Sequence, residues 1–349
     1  MRTSYQEEDV VLLLKDITGL VQPQPTEERE RLIQAGRHYC EMLPIEYVPT
    51  RTYMDAYRGA LSVFSKPTAD AVGTLADKIM EKRGPNVVLV SLARAGIPIG
   101  ILLKRYIKQK YDVRVEHYAI SIIRGKGIDR NAMKYLLERY APETLLFVDG
   151  WIGKGAILGE LRKEIEGYPG VSPEIAVLAD PANVTELCGT HEDILIPSSC
   201  LNCTVSGLVS RTFLRDDIIG EEDFHGAVYY GEMQEADLSY DFIEHIEREF
   251  AMKHDRNYMP AEGHGIDEVR RIADRFGVAD INFIKPGIGE TTRVLLRRVP
   301  WKVLVDERYA GDPSLVPVIR LAEEKHVPVE YYPLCHYKTC GIIKKIADT

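Results

Sequence analysis

The alternation of strand-sized apolar runs with helical segments constrains this chain more than any other feature of its sequence. Four short runs rich in Val, Ile and Leu are separated by segments long enough to hold a helix: Asn86–Leu92, Val115–Ile123, Leu145–Val148 and Glu174–Leu178. A helical spacing of apolar side chains over Pro67–Lys82 precedes them. Such alternation is typical of a parallel β-sheet with helices on both faces, so the sequence predicts an α/β fold.

Length and composition narrow the class of protein. The chain has 349 residues, of which 45% are hydrophobic and 28% are charged, as is ordinary for a globular protein with more than one domain. Its apolar runs are far shorter than the roughly 18 residues that a membrane span requires. The first residues lack the basic and then apolar order of a secretion signal, and six cysteines are too sparse for a disulfide scaffold. We therefore expect a cytoplasmic protein that does not contact membranes.

Charge divides the chain near residue 265. The net charge is −9, yet residues 265–349 carry 14 basic and 12 acidic side chains, so the negative charge belongs to the residues before them. A polar, glycine-containing stretch at Asn257–Gly265 marks the change and predicts a linker. We predict one domain over residues 1–260 and a second over residues 265–349, and the charge of the second suits nucleic acid better than that of the first.

The run Leu145–Val148 leads into a segment with one acid, three glycines and a lysine: Asp149, Gly150, Gly153, Lys154 and Gly155. Glycine lets backbone N–H groups turn toward an anion, and the predicted helix Ala156–Ile165 adds partial positive charge at its N-terminus. This pattern predicts a phosphate site beside a carboxylate that suits hydroxyl groups or a metal ion. The spacing is neither that of a Walker loop nor that of a dinucleotide fingerprint. An ordinary strand-to-helix turn is the alternative.

Two further strand ends carry cationic loops. Val87–Gly100 is a strand that runs into a tight loop with Arg94 at its tip, and Ile120–Asp129 places Arg124 and Lys126 among glycines. Ligands of parallel sheets bind at the carboxyl ends of the strands, so these loops predict one anion site. The alternative is that Arg94 forms a surface ion pair and that Arg124 and Lys126 lie on a solvated hairpin.

Together the three loops resemble the phosphoribosyl pyrophosphate (PRPP) site of type I phosphoribosyltransferases, in which a pyrophosphate loop, a mobile loop and a PRPP loop follow in this order. The resemblance implies that fold, Mg²⁺ bound with PRPP, and transfer of phosphoribose to a base-like acceptor. It implies catalytic roles for Arg94, Arg124, Lys126 and Asp149. It also implies that PRPP is bound by residues of two loops: Ser91, Ala93, Arg94, Ala95, Gly96, Asp149, Gly150, Trp151, Ile152, Gly153, Lys154, Gly155 and Ala156.

A narrower resemblance covers nearly the whole chain. It rests on Ser91–Gly100, Ser121–Met133, Phe147–Ile157 and Ile196–Thr212, which resemble the bacterial StiP-type phosphoribosyltransferases of tellurite-resistance and stress gene clusters. In this comparison the acceptor would be recognised within Pro197–Arg211, where Ser206 and Arg211 are the polar candidates. A homodimer is expected from the fold family.

The same family is also described as a cysteine protease, so the cysteines need separate consideration. A thiol protease would use Cys200 or Cys203 with His191 or His225. Cys200 and Cys203 are also half of a zinc site, which the tail residues Cys335, His336 and Cys340 would complete. Neither use explains the cationic loops, and we expect no other metal site built from side chains.

A compact alternation after Gly265 predicts an αβα domain of about 80 residues. We predict helices at Ile266–Phe276, Glu290–Arg298, Asp312–Lys325 and near Gly341, and strands at Asp280–Ile284, Lys302–Val305 and Val329–Tyr332. The segment Lys285–Arg298 joins a glycine-rich turn to a basic helix, where N–H groups and cations can meet a phosphate backbone. A small packing domain with a solvated basic helix is the alternative.

This domain resembles the PELOTA-type RNA-binding domain. The resemblance implies contacts with structured RNA by Gly287, Gly289, Glu290, Thr292, Arg293 and Arg297. One further function stays open, because Gly150 stands where the phosphoribosyltransferases usually have a second acid, and Gly153 and Lys154 replace hydroxyl-bearing residues. A noncatalytic sensor of PRPP or nucleotides that binds RNA is therefore an alternative to the transferase.

Overall fold

The structure, a computed structural model, describes residues 1–252 and 260–345. Its α-helices are α1 Thr26–Gln34, α2 Arg51–Arg83, α3 Gly96–Tyr111, α4 Arg130–Leu137, α5 Ala156–Ile165, α6 Ser239–Glu247, α7 Gly265–Phe276, α8 Ile288–Arg297 and α9 Val316–Glu324. Its strands are β1 Val11–Leu12, β2 Lys15–Asp16, β3 Val88–Leu92, β4 Glu116–Ile120, β5 Ile122–Ile123, β6 Gly127–Ile128, β7 Leu145–Trp151, β8 Ile175–Ala179, β9 Cys188–Thr190, β10 Gly226–Ala227, β11 Ile284–Pro286, β12 Pro300–Val305, β13 Val329–Tyr331 and β14 Thr339–Ile343.

A six-stranded parallel sheet is the centre of the first domain. Its strand order is β1-β4-β3-β7-β8-β9, and every neighbouring pair runs parallel. The chain leaves β3 toward β4 on one side and returns to β7 on the other, so the strand order reverses between β3 and β7. In open parallel sheets, a ligand crevice forms outside the carboxyl ends of the strands at such a point. The predicted α/β class and all four predicted strands are confirmed.

Helices cover both faces of this sheet, because successive side chains of a strand point to opposite faces. Leu89 of β3 packs in a core with α2, α3 and α6, whereas Val88 and Val90 pack in a second core with α4 and α5. The helix predicted over Pro67–Lys82 is present, but α2 begins at Arg51 and Pro67 lies inside it. Proline has no N–H group, so the carbonyl oxygen of Val63, four residues earlier, lacks its helical donor. Val63 is an exposed residue, so water can supply this hydrogen bond.

The C-terminal domain is a three-layer αβα unit, as predicted. Its sheet has the order β11-β14-β12-β13, with α7 packed on one face and α8 and α9 on the other. The helix predicted near Gly341 is wrong, since Thr339–Ile343 is the strand β14, antiparallel to both β11 and β12. All five of its residues are buried, and a short apolar run of this kind has no periodicity that separates a strand from a helix.

The two domains share one apolar core. Ile288, Leu295 and Leu296 of α8 belong to the same buried cluster as Leu195 and Leu201 of the first domain. Residues 257–259 of the predicted linker lie outside the described residues, and its remainder is tied down, since Gly265 N–H donates to Ala182 O at 2.9 Å. The domains therefore pack as one body. Among the described residues, no helix is both long enough and apolar enough to cross a bilayer.

Candidate functional site

The two loops at the reversal of strand order lie against each other. One follows β3 and contains Ala93, Arg94 and Ala95. The other, here called the Asp149 loop, is Asp149–Gly155, whose first three residues are the end of β7. A Cβ on Gly96 would lie 2.4 Å from the carbonyl oxygen of Val148, so only glycine allows this approach. A Cβ on Gly150 would lie 3.7 Å from Ala95 O, which is ordinary contact. The two predicted PRPP-binding loops are thus neighbours at the carboxyl edge of the sheet.

Several residues predicted to bind PRPP serve instead to hold these loops in place. Ala93 N–H donates to Ile120 O at 2.8 Å, and Ile152 N–H donates to Ala179 O at 3.0 Å. The side chain of Ile152 is buried, and Ala156 is the first residue of α5. These two N–H groups fix the loops to neighbouring strands, so they are not available to a ligand.

Ser91 lies beneath the Arg94 loop rather than in the cleft. Its side chain is fully buried, with Oγ 2.9 Å from Gly96 O and 2.7 Å from Nε2 of His117. Burial lowers the pKa of His117 to about 4, and Nδ1 of the neutral ring donates to Asp9 O at 2.8 Å. Nε2 then accepts from the Ser91 hydroxyl. This contradicts the expectation that Ser91 contacts PRPP, because its hydroxyl is used inside the fold.

Asp149 is the carboxylate at this edge. It is half-buried; Oδ1 accepts from Gly150 N–H at 2.8 Å, and Oδ2 has no hydrogen-bond partner among the described residues. Burial raises the pKa of Asp149 to about 7, against the opposing effects of the Gly150 N–H and Arg293. Near neutral pH the group is therefore divided between acid and carboxylate, and one oxygen is free to bind a hydroxyl group or a cation.

The glycine-rich loop after Asp149 is held by the C-terminal domain. Lys154 Nζ donates to the carbonyl oxygens of Ile281 and Ile284, and Tyr337 Oη donates to Gly153 O at 2.7 Å. Burial lowers the pKa of Lys154 to about 8. In this arrangement the Lys154 ammonium group bridges the domains, and the phosphate role predicted for it would require its release from these carbonyls.

Arg94 forms an interior ion pair. Its Nη1 lies 3.2 Å from Oε1 of Glu46 and 2.9 Å from Val209 O, and its Nη2 lies 3.1 Å from Oδ1 of Asn202. The Glu46 side chain is 1% exposed and that of Arg94 is 16% exposed. The guanidinium group therefore has a fixed position behind its loop, with little surface left for a ligand.

Arg124 and Lys126 lie on the exposed hairpin formed by β5 and β6. The hairpin is attached to the first domain where Tyr39 Oη accepts from Arg124 N–H at 3.0 Å. It also touches the C-terminal domain, since Arg124 Nη1 donates to Asn282 Oδ1 at 2.8 Å. Arg124 thus borders the interface between the domains, and Lys126 lies two residues further along the same hairpin.

The start of α8, predicted to contact RNA, faces the first domain. Asp193 accepts from Ile288 N–H at 2.9 Å and from Lys338 N–H at 2.8 Å. Burial raises the pKa of Asp193 to about 6. The remaining predicted contacts lie nearby: a Cβ on Gly287 would touch Asp193, a Cβ on Gly289 would touch Trp151, and Glu290 lies against Gly153.

The later residues of α8 continue along the same interface. Thr292 is buried and donates to Ile288 O at 2.7 Å, and Arg297 donates to Ser199 O and Leu201 O at 3.2 and 2.6 Å. Arg293, which is 39% exposed, lies with Cζ 5.5 Å from the centre of the Trp151 ring. The surface predicted to bind RNA is therefore largely covered by the first domain.

Of the two residues predicted to recognise an acceptor, only Arg211 lies at this interface. Ser206 is buried and donates to Asn202 O at 2.9 Å, so its position does not support a contact with an acceptor. The guanidinium group of Arg211 lies 4.7 Å from the centre of the Tyr39 ring.

Neither Cys200 nor Cys203 has the surroundings of a thiol nucleophile. Both are fully buried; Cys200 Sγ lies 3.9 Å from Ala56 O and Cys203 Sγ lies 3.6 Å from Met233 Sδ. Burial raises the pKa of each thiol to about 12. The predicted pairing with a histidine is absent from their described contacts, since His225 faces Ser121 instead.

One cysteine that the sequence left unassigned does contact a histidine. Cys188 Sγ lies 3.3 Å from Nε2 of His191, whose Nδ1 donates to Asp180 O at 2.8 Å. Cys188 is fully buried, and burial raises its pKa to about 12.

Within residues 1–252 and 260–345, no three His, Cys, Asp or Glu side chains converge as metal ligands, so the zinc alternative has no ligand set there.

Three residues of the interface were missed by sequence reasoning: Glu46, Asp193 and Tyr337. Glu46 accepts from Arg94, Asp193 accepts from Ile288 N–H, and Tyr337 donates to Gly153 O. The two residues of each pair are distant in the chain. Neither spacing nor composition distinguishes them from ordinary surface or core residues. The single available signal is the placement of Asp193 directly before the apolar run Ile194–Ile196.

Similar solved structures include two phosphoribosyltransferases. A hypoxanthine-guanine phosphoribosyltransferase from Bacillus anthracis is 18% identical with a TM-score of 0.28, over 38% of this chain and 82% of that chain. A xanthine-guanine-hypoxanthine phosphoribosyltransferase from Helicobacter pylori is 21% identical with a TM-score of 0.21, over 30% of this chain and 66% of that chain.

Sequence comparison matches almost the full length. Residues 3–247 match the family described as "Tellurite-like stress resistance cysteine protease StiP", and residues 263–345 match the "PELOTA RNA binding domain". The protein named "Cysteine protease StiP" of Acinetobacter baylyi is 34% identical over 363 residues, which is 98% of this chain and 94% of the relative. The chain therefore belongs to the StiP family and carries a C-terminal PELOTA domain.

Proposed function

We propose that this protein binds PRPP together with Mg²⁺ and transfers the phosphoribosyl group to a base-like acceptor, or cleaves such a bond in reverse. One observation carries the proposal. The strand order reverses between β3 and β7, and this is where the Arg94 loop and the Asp149 loop meet. Ligands of doubly wound sheets bind at such a point. The order of the loops along the chain also resembles that of type I phosphoribosyltransferases.

Asp149 and the backbone of the loop after it match the ribose and phosphate groups of PRPP. The unpartnered oxygen of Asp149 would accept from a ribose hydroxyl group or bind a cation, and the backbone of Gly150–Gly155 precedes the N-terminus of α5, where a phosphate group is favoured. Mg²⁺, when bound with PRPP, would offset the charge of its diphosphate group. Gly150 leaves Asp149 as the single acid of this strand end.

The proposed transfer requires a site that excludes water while charge develops. The bond from the ribose anomeric carbon to the diphosphate oxygen breaks, with its electron pair leaving on the diphosphate, and a bond from an acceptor nitrogen to that carbon forms. The acceptor proton passes to solvent. Positive charge on the sugar suits an ionised Asp149, and cations at the domain interface suit the departing diphosphate.

Isothermal titration tests binding. The intact protein should bind PRPP in the presence of Mg²⁺, and Asp149→Asn should bind about tenfold more weakly or worse, because it removes a charge-assisted contact. Asp274→Asn, the same change at an exposed position on α7, serves as the matched control and should bind as the native protein does. Absence of PRPP binding by the native protein would contradict the proposal.

Release of diphosphate separates the transferase from a noncatalytic sensor. The absence of a second acid at Gly150 is the observation that favours the sensor. Purine and pyrimidine bases, offered singly with PRPP and Mg²⁺, should release diphosphate with at least one of them. Binding without release across these acceptors would favour the sensor and leave the binding site intact.

A thiol protease is the second candidate, favoured by the contact between Cys188 and His191 and by the name of the Acinetobacter baylyi relative. Burial and the raised pKa of Cys188 oppose it, since a nucleophile needs an accessible thiolate. Hydrolysis of denatured casein by the native protein and by Cys188→Ser tests this candidate. We expect no difference, whereas loss of proteolysis in the variant would establish it.

We also propose structured RNA as a partner of the C-terminal domain. Because α8 faces the first domain, RNA would use the open groove of about 600 Å³ beyond the C-terminal ends of α8 and α9. Its polar and aromatic lining is Arg298, Trp301, Glu324, Lys325, His326 and Lys344. Cations and an exposed aromatic ring suit phosphate groups and stacked bases. In RNA binding measured by filter retention, Lys325→Glu combined with Lys344→Glu should weaken binding, whereas Arg270→Glu on α7 should change it less. Equal effects would contradict this location.

A further inference from the structure

Four arginines from the two domains gather around one strip of the first domain, residues 199–211. Arg94 donates to Val209 O and Asn202 Oδ1, and Arg211 belongs to the strip itself. From the C-terminal domain, Arg297 donates to Ser199 O and Leu201 O, and Arg293 lies one helical turn before it on α8. The cluster lies beside the end of β7, because Arg293 is close enough to Asp149 to lower the pKa of that carboxyl group, which burial raises overall.

The four guanidinium groups differ in their partners. Arg94 pairs with Glu46, and Arg297 uses its Nη2 on two carbonyl groups. The guanidinium group of Arg211 has neither a hydrogen bond nor an ion pair among the described residues and lies over the Tyr39 ring. Arg293 has a long contact of 3.5 Å with Glu290 and is more than a third exposed. Arg211 and Arg293 therefore retain donors for a ligand.

Like charges are close together in this cluster. Burial lowers the pKa of Arg211 to about 10, with further lowering by Arg29, Arg94 and Arg293. Burial also lowers the pKa of Arg297 to about 9, with Arg293 and Arg94 acting in the same direction. The carboxyl groups that face the cluster are Glu46, Glu290 and Asp149, and Asp149 is only partly ionised near neutral pH. Arginine does not lose its charge in water, so a bound polyanion would relieve this repulsion.

We propose that Arg211 of the first domain and Arg293 of the C-terminal domain together bind the diphosphate group of the ligand, so that the PELOTA domain completes the site of the StiP domain. Guanidinium groups bind two phosphate oxygens at once through their planar fork of donors, which suits a diphosphate group held between two arginines. The inference rests on the proposed function for the identity of the ligand. It assigns α8 to a small phosphate-bearing molecule rather than to RNA.

Titration of the full chain with inorganic diphosphate tests this assignment. We expect the native protein to bind, and Arg211→Gln and Arg293→Gln each to weaken binding about tenfold or more. Arg320→Gln, which changes an exposed arginine on α9, should bind as the native protein does. Unfolding temperature is measured for each variant, and Arg293 is exposed enough that its variant should fold normally. Unchanged binding by Arg293→Gln, or no binding by the native protein, would overturn the inference.

A second titration, with PRPP and Mg²⁺, separates this inference from the proposed function. Binding of PRPP that depends on Asp149 but not on Arg293 would retain the proposed function and overturn the inference. Binding of inorganic diphosphate that depends on Arg211 and Arg293, without any binding of PRPP, would retain the shared anion site and overturn the proposed function.

Discussion

The carboxylate of Asp193 in the first domain accepts a hydrogen bond at 2.9 Å from the backbone N–H of Ile288, the first residue of α8 in the second. The same carboxylate accepts from Lys338 N–H. Both donors are buried, so the side chain of one domain satisfies backbone groups of the other at the point where α8 meets the predicted ligand site. We regard this contact as the main polar link that orients α8 against the glycine-rich loop.

Removing this link should destabilise the whole protein. Asp193→Ala leaves two buried N–H groups without an acceptor, at about 1–3 kcal/mol each in the free energy of unfolding. Chemical unfolding measures the effect, with Asp267→Ala on the exposed face of α7 as a control that should change stability little. An Asp193→Ala variant as stable as the control would contradict the importance of this link.

The same carboxyl group predicts a pH dependence of stability. Burial raises the pKa of Asp193 to about 6, above its ordinary value of 3.8, so the folded state holds this proton more tightly than the unfolded state. Its contribution to stability is complete below about pH 4 and is lost as the pH rises through 6. Comparison of unfolding free energies from pH 4 to 7 should give a steeper decline for the native protein than for Asp193→Asn. Parallel profiles would contradict the shifted pKa.

Thiol alkylation should identify a single accessible cysteine. Cys335 is exposed, whereas the other five are buried: Cys40, Cys188, Cys200, Cys203 and Cys340. Iodoacetamide applied to the native protein at pH 8 should therefore label Cys335 alone, and all six after denaturation, as mass spectrometry can count. Rapid labelling of Cys188, Cys200 or Cys203 in the native protein would instead indicate an accessible thiolate and favour the protease.

Binding of PRPP should strengthen with rising pH through the titration of Asp149. Burial raises the pKa of this group to about 7, and the ionised form is the one that binds a hydroxyl group or a cation. Affinity measured with Mg²⁺ from pH 6 to 8 should rise more in the native protein than in Asp149→Asn. The variant also corrects for ionisation of the ligand itself, so equal slopes would exclude Asp149 as the titrating group.

A second acid beside Asp149, introduced by Gly150→Asp, should strengthen the binding of PRPP. A Cβ on Gly150 makes only ordinary contacts, the nearest being 3.7 Å from Ala95 O, so the backbone admits a side chain at this position. A second carboxylate for the ribose hydroxyl groups should raise the affinity for PRPP and Mg²⁺ about tenfold. Gly159→Asp adds the same charge on exposed α5 and should have little effect. Equal behaviour of the two variants would indicate that the ligand does not use this strand end.

The sequence predicted those features that local patterns determine. The bounds of α5 agree with the prediction, and the adjacency of the Arg94 and Asp149 loops followed from the parallel topology alone. By contrast, the glycines beside Lys154 in the sequence suggest that it binds phosphate, but its ammonium group donates to carbonyl groups of the other domain. Contacts between residues more than a hundred positions apart leave no periodic signal, so the use of α8 as part of this interface was not predictable.

Hydrogen–deuterium exchange on the intact protein, with and without PRPP and Mg²⁺, tests the central claim most directly. The account predicts that the ligand slows exchange in peptides covering residues 93–96 and 149–155, and that Asp149→Asn reduces this protection at a ligand concentration near the dissociation constant of the native protein. Protection confined to other segments, or none at saturating ligand, would contradict the claim that the reversal of strand order between β3 and β7 is the PRPP site.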